Sequence, residues 1–233
     1  MPLAAAAFCP HPPLLVPGLA GSDNDRDKEL GPLRAACRAA VTLLLGAAPD
    51  VFVLLGTGPQ TASVPPGTRG TLAPWGVDVP VTLGAPAGRG PADLPLSLAV
   101  GAWLLGTPPR PVVGQVVRAD LGKADCAALG RDLVAGPARV ALLVMGDGAA
   151  VDRETSPGPA AAAFDAAVAG ALGSGDGAAL LAIDALTAHG LECTGRAPWQ
   201  VLAGAAGAKR PPHPRLLYHA APFGIGYLVA SWS

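Results

Sequence analysis

The run Val51-Phe52-Val53-Leu54-Leu55 is apolar at every position and is closed by Gly56. A strand half-exposed to water would alternate apolar and polar residues, so an unbroken run of this length reads as a strand buried on both faces, the kind found in parallel sheets. Leu3 to Phe8, Val112 to Val117 and Val140 to Met145 read as further strands, with helical patterns between them. Leu30, Leu33, Cys37, Val41, Leu44 and Ala48 recur at spacings of three and four, behind the helix-start residues Ser22, Asp23, Asn24 and Asp25. Strand and helix in alternation predict a single α/β domain over residues 1–233, with a central mixed, mostly parallel sheet and helices on both faces.

The rest of the chain is read in the same terms. Residues 56 to 76 hold five glycines and four prolines without a helical or alternating period, and read as a long connection of the kind that forms a lid or stays mobile; a short strand follows at Val77 to Leu83. Asp93 is placed to cap a helix over Leu94 to Leu105, apolar on all sides. Further helices are expected over Ala124 to Val134, Ala160 to Leu172, Ala178 to Ala188 and Pro198 to Ala208. Arg215 to His219 and Ile225 to Ala230 read as a closing β-hairpin.

Charge excludes some functions. The formal net charge is −1 with cations scattered singly, so no basic face exists to neutralise a row of phosphates, and nucleic acid is not the expected partner. Charged residues make up 14% of the chain, against about 25% in typical globular proteins. So little polar surface predicts association with further copies. The start has no positive n-region, and Pro10, His11 and Pro12 interrupt it before a membrane span could form, which predicts a cytoplasmic protein without membrane contact. Cys9, Cys37, Cys126 and Cys193 lie far apart with no CxxC pair, so neither a zinc knuckle nor a disulfide framework is indicated.

In open α/β sheets ligands bind beyond the carboxyl ends of the strands. Three such ends carry chemistry: Cys9 to Pro13, Gly56 to Gln60, and Gly146 to Ala150. His11 sits between prolines, which hold the backbone extended and project the imidazole from a rigid strand end; the alternative is a strand-end histidine bonded to backbone. Cys9 alternates onto the same side as His11, so a thiol–imidazole pair is one reading. Asp147, between Gly146 and Gly148, is the best acidic candidate, with a turn aspartate bonding its own backbone as the alternative. Asp152 and Glu154 read as solvated loop charges. His189 falls near a helix end, where it would meet the last carbonyls, and His213 and His219 read as surface residues. Trp199 forms a helical stripe with Leu202 and Ala206, more typical of core than of a ligand cage.

The stretches Cys9-Pro10-His11-Pro12-Pro13-Leu14-Leu15-Val16-Pro17, Leu94 to Leu105 and Gly195-Arg196-Ala197-Pro198-Trp199-Gln200-Val201-Leu202-Ala203-Gly204-Ala205, with Met145-Gly146-Asp147-Gly148, resemble the LigB-like branch of the class III extradiol dioxygenase superfamily, to which the Memo proteins are related. The resemblance spans nearly the whole chain. It implies a pocket around Cys9, His11, Thr57, Gly146, Asp147, Trp199 and Gln200. In active members a ferrous ion is held by two histidines and a carboxylate or third histidine, and a further histidine acts as acid and base.

Of these groups the chain supplies the first metal histidine, His11. The second falls in Leu55-Gly56-Thr57-Gly58-Pro59, where Thr57 or a glycine stands; the acid–base histidine falls in Gly148-Ala149-Ala150, and the late ligand near Trp199-Gln200. No histidine lies between His11 and His189, so no shift of register restores the second ligand. Neutral Thr and Gln side chains do not offset a divalent charge as a carboxylate does. The expectation is therefore a LigB-like protein with an eroded metal site and no cofactor, acting as a small-molecule- or partner-binding protein, as a homo-oligomer or as a subunit of an assembly. The alternative is an active Fe2+-dependent dioxygenase on an aromatic or catecholic substrate, using His11 with Asp147 as a catalytic group.

Overall fold

The architecture is that of a computed structural model whose described residues are 3–18, 24–84, 93–150 and 158–233. The elements run β1 (Leu3–Cys9), α1 (Asn24–Gly46), β2 (Val51–Thr57), β3 (Ala62–Val64), β4 (Arg69–Thr71), β5 (Pro80–Thr82), α2 (Leu96–Leu105), β6 (Val112–Val117), α3 (Lys123–Leu133), β7 (Val140–Met145), α4 (Pro159–Ser174), α5 (Gly177–Leu181), α6 (Ala185–Gly190), α7 (Arg196–Ala206), β8 (Arg215–Ala220) and β9 (Tyr227–Trp232). Seven strands form one sheet in the order β3-β6-β2-β7-β1-β9-β8, and β4 and β5 form a separate two-stranded ribbon. The central pairs β6/β2, β2/β7 and β7/β1 are parallel; β3, β9 and β8 join antiparallel at the flanks. The expected three-layer α/β fold with a mixed sheet is therefore present.

Strand alternation divides the core into two. Ala5, Ala7 and Cys9 of β1, Phe52 and Leu54 of β2, and Leu143 and Met145 of β7 face a layer formed by α1 and α2. Ala6 and Phe8, Val53 and Leu55, and Leu142 and Val144 face the layer of α3, α4, α5 and α7. Side chains pointing to both faces need apolar residues at every position, the physical reason that these strands read as unbroken runs. Phe8 meets Trp232 edge to face on the second side, with ring centroids 5.0 Å apart.

The differences from the sequence reading are local. The stretch 56–76 is not a free connection: Ala62–Val64 pairs with β6 as the sheet's edge strand, and Arg69–Thr71 pairs with β5. Three-residue strands are too short to show a period. Asp93 does not cap α2, which starts at Leu96 behind Pro95 with no side-chain cap. The single helix expected over 178–188 is two, broken where Asp184 caps α6 by accepting hydrogen bonds from the Thr187 N–H and hydroxyl at 2.8 and 2.9 Å. The cap residues Ser22 and Asp23, and the loop charges Asp152 and Glu154, lie outside the described residues. No helix among the described residues is long and apolar enough to cross a membrane.

Helices α3 and α7 approach each other backbone to backbone. A Cβ at Gly130 would collide with the Val201 carbonyl, and one at Gly204 with the backbone of Ala127. Because backbone cannot yield as a side-chain tip does, Gly204→Ala should destabilise the fold by about 1–3 kcal/mol. Urea unfolding should show a lower midpoint at unchanged slope; an unchanged midpoint would contradict the close crossing.

Candidate functional site

Strand order decides which of the expected residues can meet. Because β1 and β7 are neighbours with Cys9 opposite Met145, His11 and Asp147 emerge side by side from adjacent strand ends. The His11 N–H donates to Asp147 Oδ1 at 2.9 Å, and His11 Nε2 lies 3.7 Å from Asp147 Oδ2. The aspartate therefore bonds the backbone of another strand end rather than its own. His11 is 6% exposed, and its Nδ1 is buried without a partner among the described residues. Arg34 of α1 steadies the loop that follows, donating from Nε to the Leu15 carbonyl and from Nη2 to the Leu14 carbonyl, both at 2.9 Å.

Asp147 is itself held from three sides. Its N–H donates to Thr194 Oγ1 at 2.9 Å, and its carbonyl accepts from Gly195 N–H at 2.9 Å and from Cys193 Sγ at 3.3 Å. The Gly195 and Arg196 N–H groups also point at the Cys193 sulfur, yet burial dominates and pushes this thiol up to about 12. Cys193 is thus a protonated packing group at neutral pH.

The remaining expected site residues are placed elsewhere. Cys9 does not pair with His11: it faces the α1 layer, where hydrogen bonding to Cys37 and burial raise its pKa well above the usual thiol value. Thr57 ends β2, and β7 runs between β2 and β1. Two strand spacings put it about 9–10 Å from the β1 end. Its carbonyl accepts the Ser97 hydroxyl at 2.6 Å. Gly146 is buried under α7, its backbone close to Gly195 and Trp199.

Trp199 and Gln200 are buried, 1% and 0% exposed. Gln200 Nε2 donates to the carbonyls of Leu181 and Ile183 at 3.2 and 3.0 Å, which pins the turn between α5 and α6. His189 lies in the last turn of α6, as expected.

The residue the sequence reading passed over is Arg196. It is 2% exposed, donating from Nη1 to the Leu121 carbonyl at 2.7 Å and to Gln200 Oε1 at 3.0 Å, and from Nη2 to the Ala119 carbonyl. The available signal was the i, i+4 spacing of Arg196 and Gln200 on one helix, a pairing that is usually a surface feature.

Between the two segments that Arg196 and Gln200 tie down lies a cleft of about 850 Å³, at the carboxyl ends of β2 and β6. One wall is Gly58, Pro59 and Arg118 to Asp120; the other includes Leu186, His189, Glu192 and Thr194. Arg118 and Asp120 close on each other through Nε–Oδ1 at 2.8 Å and a second contact from Nη2 to Oδ2. His11 and Asp147 do not line this cleft; Thr194 and Cys193, which bond Asp147, do.

The donor set does not match a facial iron site. Among the described residues no group of three His, Cys, Asp or Glu side chains is placed to hold a metal ion. His11 Nδ1 is one orphan nitrogen, but the carboxylate beside it already serves the His11 backbone and faces the same imidazole.

No protein-family model matches the chain, and no curated protein is similar to it. Among solved structures it is similar to an uncharacterized protein of Escherichia coli K12, JW3007, over 98% of this chain and 99% of that one, with a TM-score of 0.57 and 16% identity. At that identity the likeness shows the fold, a three-layer α/β arrangement.

One further carboxylate stabilises this end of the molecule. Asp165 of α4 is 3% exposed and accepts the Ala149 N–H at 2.8 Å. Burial raises its pKa, opposed by the Ala149 N–H and by nearby His219. With the folded pKa above the unfolded one, its contribution is fully present below the unfolded value and is lost as pH rises through the folded value. Asp165→Asn should flatten that fall when urea midpoints are followed from acid to neutral pH; a slope equal to wild type would show that Asp165 ionises normally.

Proposed function

We propose that this chain is a LigB-like protein, related to the class III extradiol dioxygenases, in which a His11–Asp147 contact stands where active members hold a metal. On this reading it binds a small molecule, or a partner, instead of cleaving rings. The observation that carries the reading is the engagement of Asp147: one oxygen takes the His11 N–H and the other faces the His11 imidazole, with no further ionisable ligand converging among the described residues. Strand ends that still open on a cleft of about 850 Å³ give such a protein somewhere to hold a ligand. Exposed Leu43, Leu45 and Leu216 suit the association with copies or with other subunits that belongs to the same reading, in a cytoplasmic setting.

The second reading is an Fe2+-dependent dioxygenase on an aromatic or catecholic substrate, and one observation favours it. The buried Nδ1 of His11, without a partner among the described residues, is what an idle metal ligand looks like.

Anaerobic reconstitution with ferrous ion separates the two. The binding reading predicts iron far below one per chain after desalting, a thermal midpoint unchanged by the metal, and no ring cleavage of catechols. Iron near one per chain that is lost in His11→Ala would overturn it. Asp147→Asn should leave the protein folded but less stable by about 1–3 kcal/mol, since the bond to the His11 backbone loses its charge assistance.

A further inference from the structure

Glu192 occupies a backbone position that does not suit it. Helix α6 ends in a Schellman arrangement: the Glu192 N–H reaches the His189 carbonyl at 3.0 Å and the Cys193 N–H reaches the Ala188 carbonyl at 2.9 Å. The residue between these bonds must be left-handed, and Glu192 has φ of 50°. Glycine is the usual occupant, because a side chain there is strained by its own Cβ. Gly175 closes α4 in this way at φ of 68°, and behind α1 it is the small Ala48 that takes the left-handed position, at φ of 47°. An acidic side chain kept where glycine would be more stable points to a use for the carboxylate.

Its surroundings indicate what that use is. Glu192 is exposed and lines the cleft, and its carboxylate has no hydrogen-bond or ion-pair partner among the described residues. Among the described residues, the two arginines that line the cleft are committed: Arg118 is closed on Asp120, and Arg196 is turned into carbonyls and Gln200. His189 and the protonated thiol of Cys193 are the other titratable groups on that wall. Besides Cys193, Thr194 and the paired Asp120, the rest of the lining is apolar or small, with Gly58, Pro59, Ala119, Ala185 and Ala188, and with Leu186 standing 81% exposed at the lip. A carboxylate without a partner among the described residues, beside the apolar part of this lining, selects a cationic head on an apolar body.

We infer that the cleft binds a small amine with an apolar body, its ammonium on the Glu192 carboxylate and its body against Pro59, Ala119 and Leu186. This rests on the reading of the cleft as the ligand site, and names its ligand class. The test uses three probes of one ring and different charge: benzylamine, benzyl alcohol and benzoate. Each is titrated into the full chain and followed by amide NMR shifts.

Benzylamine should perturb residues 118–120 and 185–194 and bind at least about tenfold tighter than the other two, the ratio expected when a charge-assisted hydrogen bond is gained at a partly wet site. Glu192→Gln keeps the strained backbone and should remove that preference. Glu192→Gly should also remove it while raising the urea midpoint, which separates lost recognition from lost folding. Equal binding of all three probes at these residues, unchanged in Glu192→Gln, would overturn the amine assignment and leave the cleft reading standing. Shifts from none of them at residues 118–120 and 185–194 would overturn both.

Discussion

A guanidinium keeps its charge at any pH a protein meets, so Arg196, buried at the first turn of α7, must be surrounded by acceptors. It takes the carbonyls of Ala119 and Leu121 from the loop after β6 and the side-chain oxygen of Gln200. Gln200 in turn gives its amide to the carbonyls of the α5–α6 turn. These two side chains, one helical turn apart, hold both walls of the cleft to one helix. No acidic side chain accepts a hydrogen bond from Arg196 among the described residues, so its charge is met by these dipoles and at longer range by Asp120, and removing either partner would strand buried polar atoms.

The same helix end reaches the other half of the site. Just before α7, Thr194 and Gly195 bond the backbone of Asp147, and Asp147 bonds His11. The β1 end, the β7 end and the cleft are thus joined through residues 193–196, although His11 and Asp147 are not themselves on the cleft wall. Parallel pairing of β1 and β7 makes this geometry unavoidable, because neighbouring parallel strands finish on the same edge of the sheet.

What could be read from sequence follows from which interactions are periodic. The buried strands announced themselves because residues such as Val53 and Leu54 face different helix layers and must both be apolar. The closing hairpin was equally plain. Ala62–Val64 was not, because its place at the sheet edge comes from pairing with β6, a partner some fifty residues away. Asp184 went unread as the breaker between α5 and α6, since its alanine-rich flanks suit a continuous helix. At the site, His11 and Asp147 were singled out at strand ends and do lie together. Trp199 and Gln200 were expected on the pocket wall by resemblance, but helix α7 turns both inward, and Arg196, whose charge ordinarily marks a surface position, is the buried partner that explains why Gln200 is an amide.

The central claim is that small molecules are received in the cleft beside residues 118–120 and 185–194, with no metal at His11. Ferrous ion is paramagnetic, so amide resonances recorded anaerobically with and without it locate any bound iron directly. The account predicts that resonances of residues 9–12 and 145–148 keep their intensity at an equimolar metal level. Selective broadening centred on His11 and Asp147, abolished by His11→Ala, would contradict it.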